Sequence, residues 1–295
     1  MSDSILVTGA SGKLGGAVIR HLLESQGVDP SRIVAATRSP DKLAALASEG
    51  IRVVKADFDD PALLEKAFAG AGTVLVVSTD ALDGAGTRLR QHKAAVAAAA
   101  KAGAKRLAYT SLPMAESSAV SFAPDHFGTE EAIKATGLPY LIFRNGWYAE
   151  NLFMSLPTAL KTGQWYSSAG TGGTAFIARD DIAAAIAGGL ANPPAGSAVY
   201  TLTGVTALTN AEVAAMASRA TGKPLAVVDL TDDQLAGGME AAGVPEAIVP
   251  TLVSFDTATR QGDLATVTDD VARLSGKQPT PLSDFIKANA AALAG

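Results

Sequence analysis

Cysteine is absent from all 295 residues. That excludes disulfide staples, thiolate nucleophiles and cysteine-ligated metals, and it fits a reducing compartment. Basic clusters are also missing. The net charge is −5 and no Lys/Arg run offsets it, so nucleic acid is not an expected partner. No apolar run approaches the ~20 residues that cross a bilayer, and nothing like a secretion leader precedes Ile5. The expected location is therefore the cytoplasm, away from membranes. There is no Gly-x-Ser-x-Gly elbow, no Cys/His cluster and no His-x-x-x-His pair, so serine-hydrolase and zinc signatures are lacking and no metal is expected. Asp180-Asp181 and Asp232-Asp233 read as helix starts or surface charge rather than as paired catalytic carboxylates.

What is present is 48% apolar sequence, enough for one large α/β domain or for a main domain with a smaller lobe. Strand-like runs recur at Ile5–Thr8, Ile33–Ala36, Val53–Ala56, Val74–Val77, Leu107–Thr110 and Tyr140–Phe143. Helical patterns separate them: Leu14, Val18 and Leu22 share one face, and Ala94–Ala102 is nearly all alanine before Gly103 ends it. Apolar strands alternating with helices predict a Rossmann-type, doubly wound parallel sheet. The rhythm changes after Arg144, where only Val199–Leu202 and Leu225–Val228 read as strands. The expected division is a dinucleotide-binding domain over 1–145, then a smaller α/β lobe over 146–295 that binds substrate and sends some segments back to complete the sheet.

The first strand runs directly into Gly9-Ala10-Ser11-Gly12-Lys13-Leu14-Gly15. A glycine at every third position suits a tight turn, close approach of backbone to a pyrophosphate, and a helix lying near the sheet. The free N–H groups at the helix start then face the anion. In such a sheet the ligand lies across the carboxyl ends of the strands, so the residues there are the candidates. The second strand ends at Arg38, where an NAD enzyme carries an acidic residue for the ribose 2′-hydroxyl. An arginine suits a 2′-phosphate instead, with Lys13 as a second positive contact, although an arginine after a strand is also ordinary surface chemistry. Asp57 and Phe58 after the third strand could take adenine, or Asp57 could belong to a helix cap with Asp59, Asp60 and Pro61. Ser78-Thr79 and Tyr109-Thr110-Ser111 end the fourth and fifth strands.

These residues, together with Pro124-Asp125-His126, Thr129-Glu130 and above all Arg144-Asn145-Gly146-Trp147-Tyr148-Ala149-Glu150-Asn151, resemble the NmrA-like branch of the atypical short-chain dehydrogenase/reductases. Within it they are similar to the bacterial type-2 NAD(P)H:quinone oxidoreductases, with triphenylmethane reductase a near relative. The resemblance runs over essentially the whole chain, to Thr280-Pro281-Leu282 before the last helix. It implies NADPH at the glycine loop, Arg38 on its 2′-phosphate, and Asn145, Gly146, Trp147, Tyr148 and Glu150 lining the nicotinamide end. It also implies hydride transfer to a quinone or a similar small, flat acceptor, by a monomer or homodimer. The wider superfamily carries Tyr-x-x-x-Lys where this chain has His126 and Glu130. Those two can meet on one helix face, but a glutamate cannot lower a tyrosine pKa as lysine does. Quinone reduction tolerates that loss, because the hydroquinone anion can be protonated by water. Tyr148, Asn145 and His126 are then candidates for the polar role beside the acceptor, and His126 could instead bond to Glu130. Trp147, Tyr148, Phe153 and Phe176 could supply flat walls, with Trp147 equally at home in a core. Two other readings stay open: a regulator that senses NAD(P) without consuming it, and a reductase of triphenylmethane dyes or imines.

Overall fold

A computed structural model of the chain describes residues 4–83 and 85–295. Six strands of the first half, β1 (Ile5–Val7), β2 (Ile33–Thr37), β3 (Arg52–Lys55), β4 (Thr73–Val76), β5 (Arg106–Ser111) and β6 (Tyr140–Asn145), lie where the apolar runs predict them. Four later strands are short: β7 (Gln164–Ser167), β8 (Gly173–Thr174), β10 (Leu208–Thr209) and β11 (Ala226–Asp229). The other late strand, β9 (Ala198–Leu202), returns to the main sheet. The resulting order is β3-β2-β1-β4-β5-β6-β9, with every pairing parallel. It is a Rossmann-type sheet whose order reverses between β1 and β4.

Helices cover both faces, as right-handed crossovers require. They are α1 (Lys13–Glu24), α2 (Ala44–Ser48), α3 (Pro61–Phe68), α4 (Thr87–Lys101), α5 (Ala123–Ala135), α6 (Leu156–Thr162) and α7 (Arg179–Ala191). One core joins Val18, Leu22, Ala35 and Leu75 to Ile182 and Ile186 of α7. The other joins Leu64, Phe68, Ala95, Ala99 and Ile133 from α3, α4 and α5. The small alanines of α4 let that helix lie close to the strands, and Gly103, at φ 79°, ends it. The C-terminal helices α8 (Asn210–Thr221), α9 (Asp232–Ala241), α10 (Val249–Gln261), α11 (Asp270–Ser275), α12 (Leu282–Ala288) and α13 (Ala290–Ala294) follow. Around them the two-stranded pairs β8/β10 and β7/β11 build the smaller lobe. Its core joins Leu156, Leu160, Val213, Leu282 and Ile286. The run Leu225–Val228 is a strand as the sequence suggests, but it pairs with β7 rather than with the main sheet. Among the described residues no helix is long and apolar enough to cross a membrane.

Candidate active site

A cleft of about 420 Å³ opens over the carboxyl ends of β1, β2, β3 and β4. Gly9 turns the chain off β1 at φ +61°, and its N-terminal neighbour Thr8 holds the top of β4 by accepting from Val77 N–H at 2.8 Å. A Cβ on Gly15 would lie 2.4 Å from the Gly9 carbonyl oxygen. Only glycine lets α1 start this close under the turn. The first-turn N–H groups of α1, which no helix can satisfy internally, open on a wall made by Ser11, Gly12, Lys13 and Leu14. Ser11 Oγ is tied to Thr37 Oγ1 at 2.8 Å, fixing the loop to the end of β2. Ala10 is placed differently from the sequence expectation. It is 1% exposed and its N–H goes to the Ala36 carbonyl, so it packs beneath the loop rather than lining the cleft.

Arg38, Asp57, Phe58, Ser78 and Thr79 all line the cleft. Arg38 is exposed. Asp57 uses one oxygen, Oδ1, on the Asp59 N–H at 3.1 Å, while Asp60 is the residue that caps α3. The cap and the cleft thus divide the carboxylates between them. Asp59 is held by Arg90 and Gln91, each at 2.8 Å, and those bonds lower its pKa. Ser78 N–H donates to Thr110 at 2.9 Å and Thr79 N–H to His92 Nε2 at 2.9 Å.

Farther along the strand ends, β6 delivers the Arg144–Asn151 segment. Glu130, fully buried, accepts from both Arg144 Nε at 3.0 Å and Arg144 Nη2 at 2.8 Å, and from Ser111 Oγ at 2.6 Å. A bidentate guanidinium–carboxylate pair is rigid. It fixes the start of the segment to β5 and α5 and raises the Arg144 pKa, chiefly through the Glu130 hydrogen bonds. Asn145 Nδ2 then donates to Tyr148 Oη at 3.3 Å. That leaves the phenol proton of Tyr148 free to donate, and burial raises the Tyr148 pKa so that the proton stays on. Gly146 is explained by packing: its N–H bonds Leu202 O at 2.7 Å, and a Cβ there would sit 2.7 Å from the same oxygen. Glu150 accepts the Arg179 N–H with both oxygens at 3.1 Å and so caps α7. None of Asn145, Gly146, Tyr148 and Glu150 lines the cleft.

His126 does not meet Glu130. It is 3% exposed and lies in a buried polar cluster that the sequence did not reveal, made by α4, β5 and α5. His92 Nε2 accepts from Thr79 N–H, so its proton sits on Nδ1 and points to Thr129 Oγ1 at 3.0 Å. His126 Nε2 accepts from Arg88 Nη2 at 2.9 Å, so its Nδ1–H points to Tyr109 Oη at 2.8 Å. Thr129 Oγ1 donates its own hydrogen bond to the Asp125 carbonyl at 2.6 Å. Burial drives both histidines neutral: His92 falls to about 3 and His126 drops well below its ordinary value. The signal that would have found this cluster lies on α4, where Arg88, His92, Ala95 and Ala99 are all buried at the spacing of one helix face. Two large polar residues on an alanine face need partners.

A separate cavity of about 210 Å³ lies in the smaller lobe, walled by Trp147, Trp165, Phe176 and Phe255 with Met154 and Leu235. Trp147 meets Phe255 edge-on at 4.7 Å. Phe153 instead packs on Phe285 at 6.3 Å, within the core behind this wall. It shapes the lobe without lining the cavity. Phe255, contributed by α10, takes the place on the wall that the sequence reading gave to Phe153.

Five buried side-chain atoms among the described residues have no hydrogen-bond partner: Thr79 Oγ1, Arg88 Nε, Gln91 Oε1, Asn145 Oδ1 and Ser168 Oγ. Four of them belong to β6 or to the segment from the end of β4 into α4. Unsatisfied buried polar atoms are costly, and their concentration here marks where a ligand would complete the structure.

The NmrA-like family matches residues 1–286. Quinone oxidoreductase 2 of Escherichia coli (strain K12) is 35% identical over 96% of this chain and 97% of its own length. The solved structure of the NADPH-dependent quinone oxidoreductase from Escherichia coli with NADPH superimposes with a TM-score of 0.91 at 35% identity, covering 96% of this chain and 99% of that one. Citrobacter sp. triphenylmethane reductase with NADP(H) superimposes with a TM-score of 0.89 at 33% identity, covering 97% and 99%.

Proposed function

The chain belongs to the NmrA-like family, and from that premise we propose that it is a flavin-independent, NADPH-dependent reductase that passes a hydride to quinones or to similarly flat conjugated acceptors. The observation that carries this reading is the alignment of three features along one strand edge. A glycine cradle stands beside Arg38, unpartnered buried atoms sit at Thr79 just past β4 and at Asn145 at the end of β6, and an aromatic cavity begins at Trp147.

The residues fit the cofactor. Ser11, Lys13 and Leu14 cradle the pyrophosphate with free N–H groups, while Gly12, whose N–H closes the turn on the Gly9 carbonyl at 2.8 Å, lets the backbone come close. Arg38 meets the 2′-phosphate, with Lys13 as a second positive charge. Asp57 keeps one oxygen for the adenine amino group and Phe58 offers a ring face, while Ser78 and Thr79 line the path onward. Asn145 offers its unpartnered Oδ1 at the nicotinamide end. Gly146 and Glu150 act there through position, by the close crossing with Leu202 and by the cap on α7. Bound NADPH supplies the hydride. Tyr148, protonated and with its hydroxyl proton uncommitted, donates to the acceptor oxygen as charge grows on it. Trp147 and Phe176 hold a flat ring and keep water away. His126, which the sequence reading put beside the acceptor, serves instead to hold Arg88. We further place the protein in the cytoplasm as a monomer or homodimer without a nucleic acid partner, with residues 1–145 binding cofactor and 146–295 mainly binding acceptor. The cysteine-free, acidic composition supports that placement.

The test is loss of NADPH absorbance with purified protein and 1,4-benzoquinone, no flavin added, against an enzyme-free quinone control. Turnover above the control is expected. Tight NADPH binding without turnover on any quinone would replace this reading with the cofactor-sensing regulator. Turnover of triphenylmethane dyes or imines alone would move it to a reductase of those acceptors.

A further inference from the structure

Arg88 begins the second residue of α4 and is 7% exposed. A buried guanidinium is costly unless a carboxylate meets it. Among the described residues its polar contact is His126 Nε2 at 2.9 Å, its other contact is the Phe122 ring 4.9 Å away, and its Nε has no acceptor. His126 is neutral and fixed by Tyr109, so it orients the guanidinium without cancelling its charge. The second histidine, His92, is neutral as well and is committed to Thr79 and Thr129. Asp125 on α5, Asp80 on the wall of the cofactor cleft and Tyr148 all act on Arg88 electrostatically, the two carboxylates from beyond ion-pair distance. Arg88 is thus a buried guanidinium, fixed by His126 and without an ion pair among the described residues, in a cluster that His92 ties to Thr79 on the cleft wall. Its Nε is buried without a partner, as is Asn145 Oδ1 on a residue only 5% exposed.

We propose that Arg88 stabilises the negative charge that appears on the acceptor oxygen during reduction. The proposal rests on the reductase reading and adds the residue that balances its charge. When a quinone takes up a hydride, an electron pair and a hydrogen nucleus leave NADPH, which becomes NADP⁺, and the quinone becomes a hydroquinone monoanion. The anion then takes one proton from water, leaving hydroxide in the solvent. An arginine does not give up its own proton in a protein, so Arg88 acts by charge, while Tyr148 orients the same oxygen by its hydrogen bond. A preset charge in a water-poor site acts on the transition state more strongly than on the neutral quinone. The substrate class follows: acceptors whose reduction leaves an oxyanion, with the greatest dependence on Arg88 where that oxyanion is most basic.

The experiment compares wild type, Arg88→Met (which keeps bulk over Phe122) and Arg88→Lys on benzoquinones carrying chloro, hydrogen or methyl substituents. Arg88→Met is expected to lower kcat about 100-fold on the methyl-substituted quinones and much less on the chloro-substituted ones, with KM for NADPH within about twofold. Arg88→Lys should recover part of the loss, and added guanidinium should partly rescue Arg88→Met. A readout free of turnover is the binding of pentachlorophenolate to the NADP⁺ complex, expected to weaken about tenfold in Arg88→Met. An equal loss on every quinone with unchanged phenolate binding would overturn the proposal and make Arg88 structural. A loss confined to NADPH affinity would overturn it in favour of a cofactor contact. If Arg88→Met does not fold, Arg88→Lys and the phenolate titration carry the same decision. Absence of quinone turnover in the wild type would sink the reductase reading alone, since phenolate binding reports on Arg88 without any chemistry.

Discussion

The cleft proposed for the cofactor and the side proposed for the acceptor are built by different means. The cleft over β1 to β4 is made largely of backbone: a glycine turn, the start of α1, and residues one or two positions past each strand. The acceptor side is made of side chains brought together from far apart in the chain, such as Trp147 with Phe255 and Arg88 with His126. Backbone sites tolerate little change, because the atoms that bind cannot be exchanged. Side-chain sites can be refitted by a few substitutions. A family built this way can keep one cofactor while its members differ in acceptor.

The strongest way to break that contrast is to put a side chain into the cradle. Gly15→Val places atoms 2.4 Å or closer to the Gly9 carbonyl. The overpacking is expected to cost about 3 kcal/mol, seen as a lower Tm and as NADPH affinity weakened roughly 100-fold in a fluorescence titration. If Gly15→Val binds normally, the cradle is not a backbone site. The side chain proposed to matter most to the cofactor is Arg38. Arg38→Ala is expected to raise KM for NADPH by roughly 10- to 100-fold, with KM for NADH nearly unchanged. Equal changes for both cofactors would remove Arg38 from the 2′-phosphate.

The buried cluster between the two regions adds a pH signature. His92 titrates at about 3 in the fold against an ordinary 6.5, and His126 is lowered in the same direction. Below pH 6.5 the unfolded chain binds protons that the native cluster refuses. Stability present above that pH is therefore lost as pH falls towards 3, at up to about 1.4 kcal/mol per pH unit for each histidine. Denaturant melts between pH 7 and 5 check this, and His92→Gln should flatten the slope by one histidine's share. The smallest effect sharpens the comparison from the acceptor side. Trp147→Phe should raise the acceptor KM about fivefold, since aromatic contacts are worth about 1 kcal/mol, and leave KM for NADPH alone.

The same contrast decides what could be read from the residues alone. Gly9, Gly12, Gly15 and Arg38 announce themselves because strand, turn and helix follow one another in the chain, and the sheet edge puts each strand's next residue into the cleft. The six strands of the first half and β9 each contain a short apolar run between turn or helix signals and were equally legible. The two-residue strands β8 and β10 carry no pattern that could be recognised. Neither could Phe255, whose partner Trp147 is on another element and far away in the chain. His126 and Glu130 were rightly placed on one helix, but helix geometry could not say that each would turn to a different element, one to Arg88 and the other to Arg144.

The return of β9 has a consequence for synthesis. When residue 145 has been made, nearly every group lining the cofactor cleft exists, yet β6 still lacks its neighbour. Leu141 through Asn145 pair with Ala198 through Leu202, and α7, which packs on α1, is also still to come. A nascent chain of that length would present an open parallel edge and an uncovered apolar face, both hazards for aggregation. The N-terminal half should therefore not survive as a fragment. A chain truncated after residue 145 should aggregate or be degraded, and the intact protein should unfold in one transition, with NADPH raising the stability of the acceptor lobe along with its own.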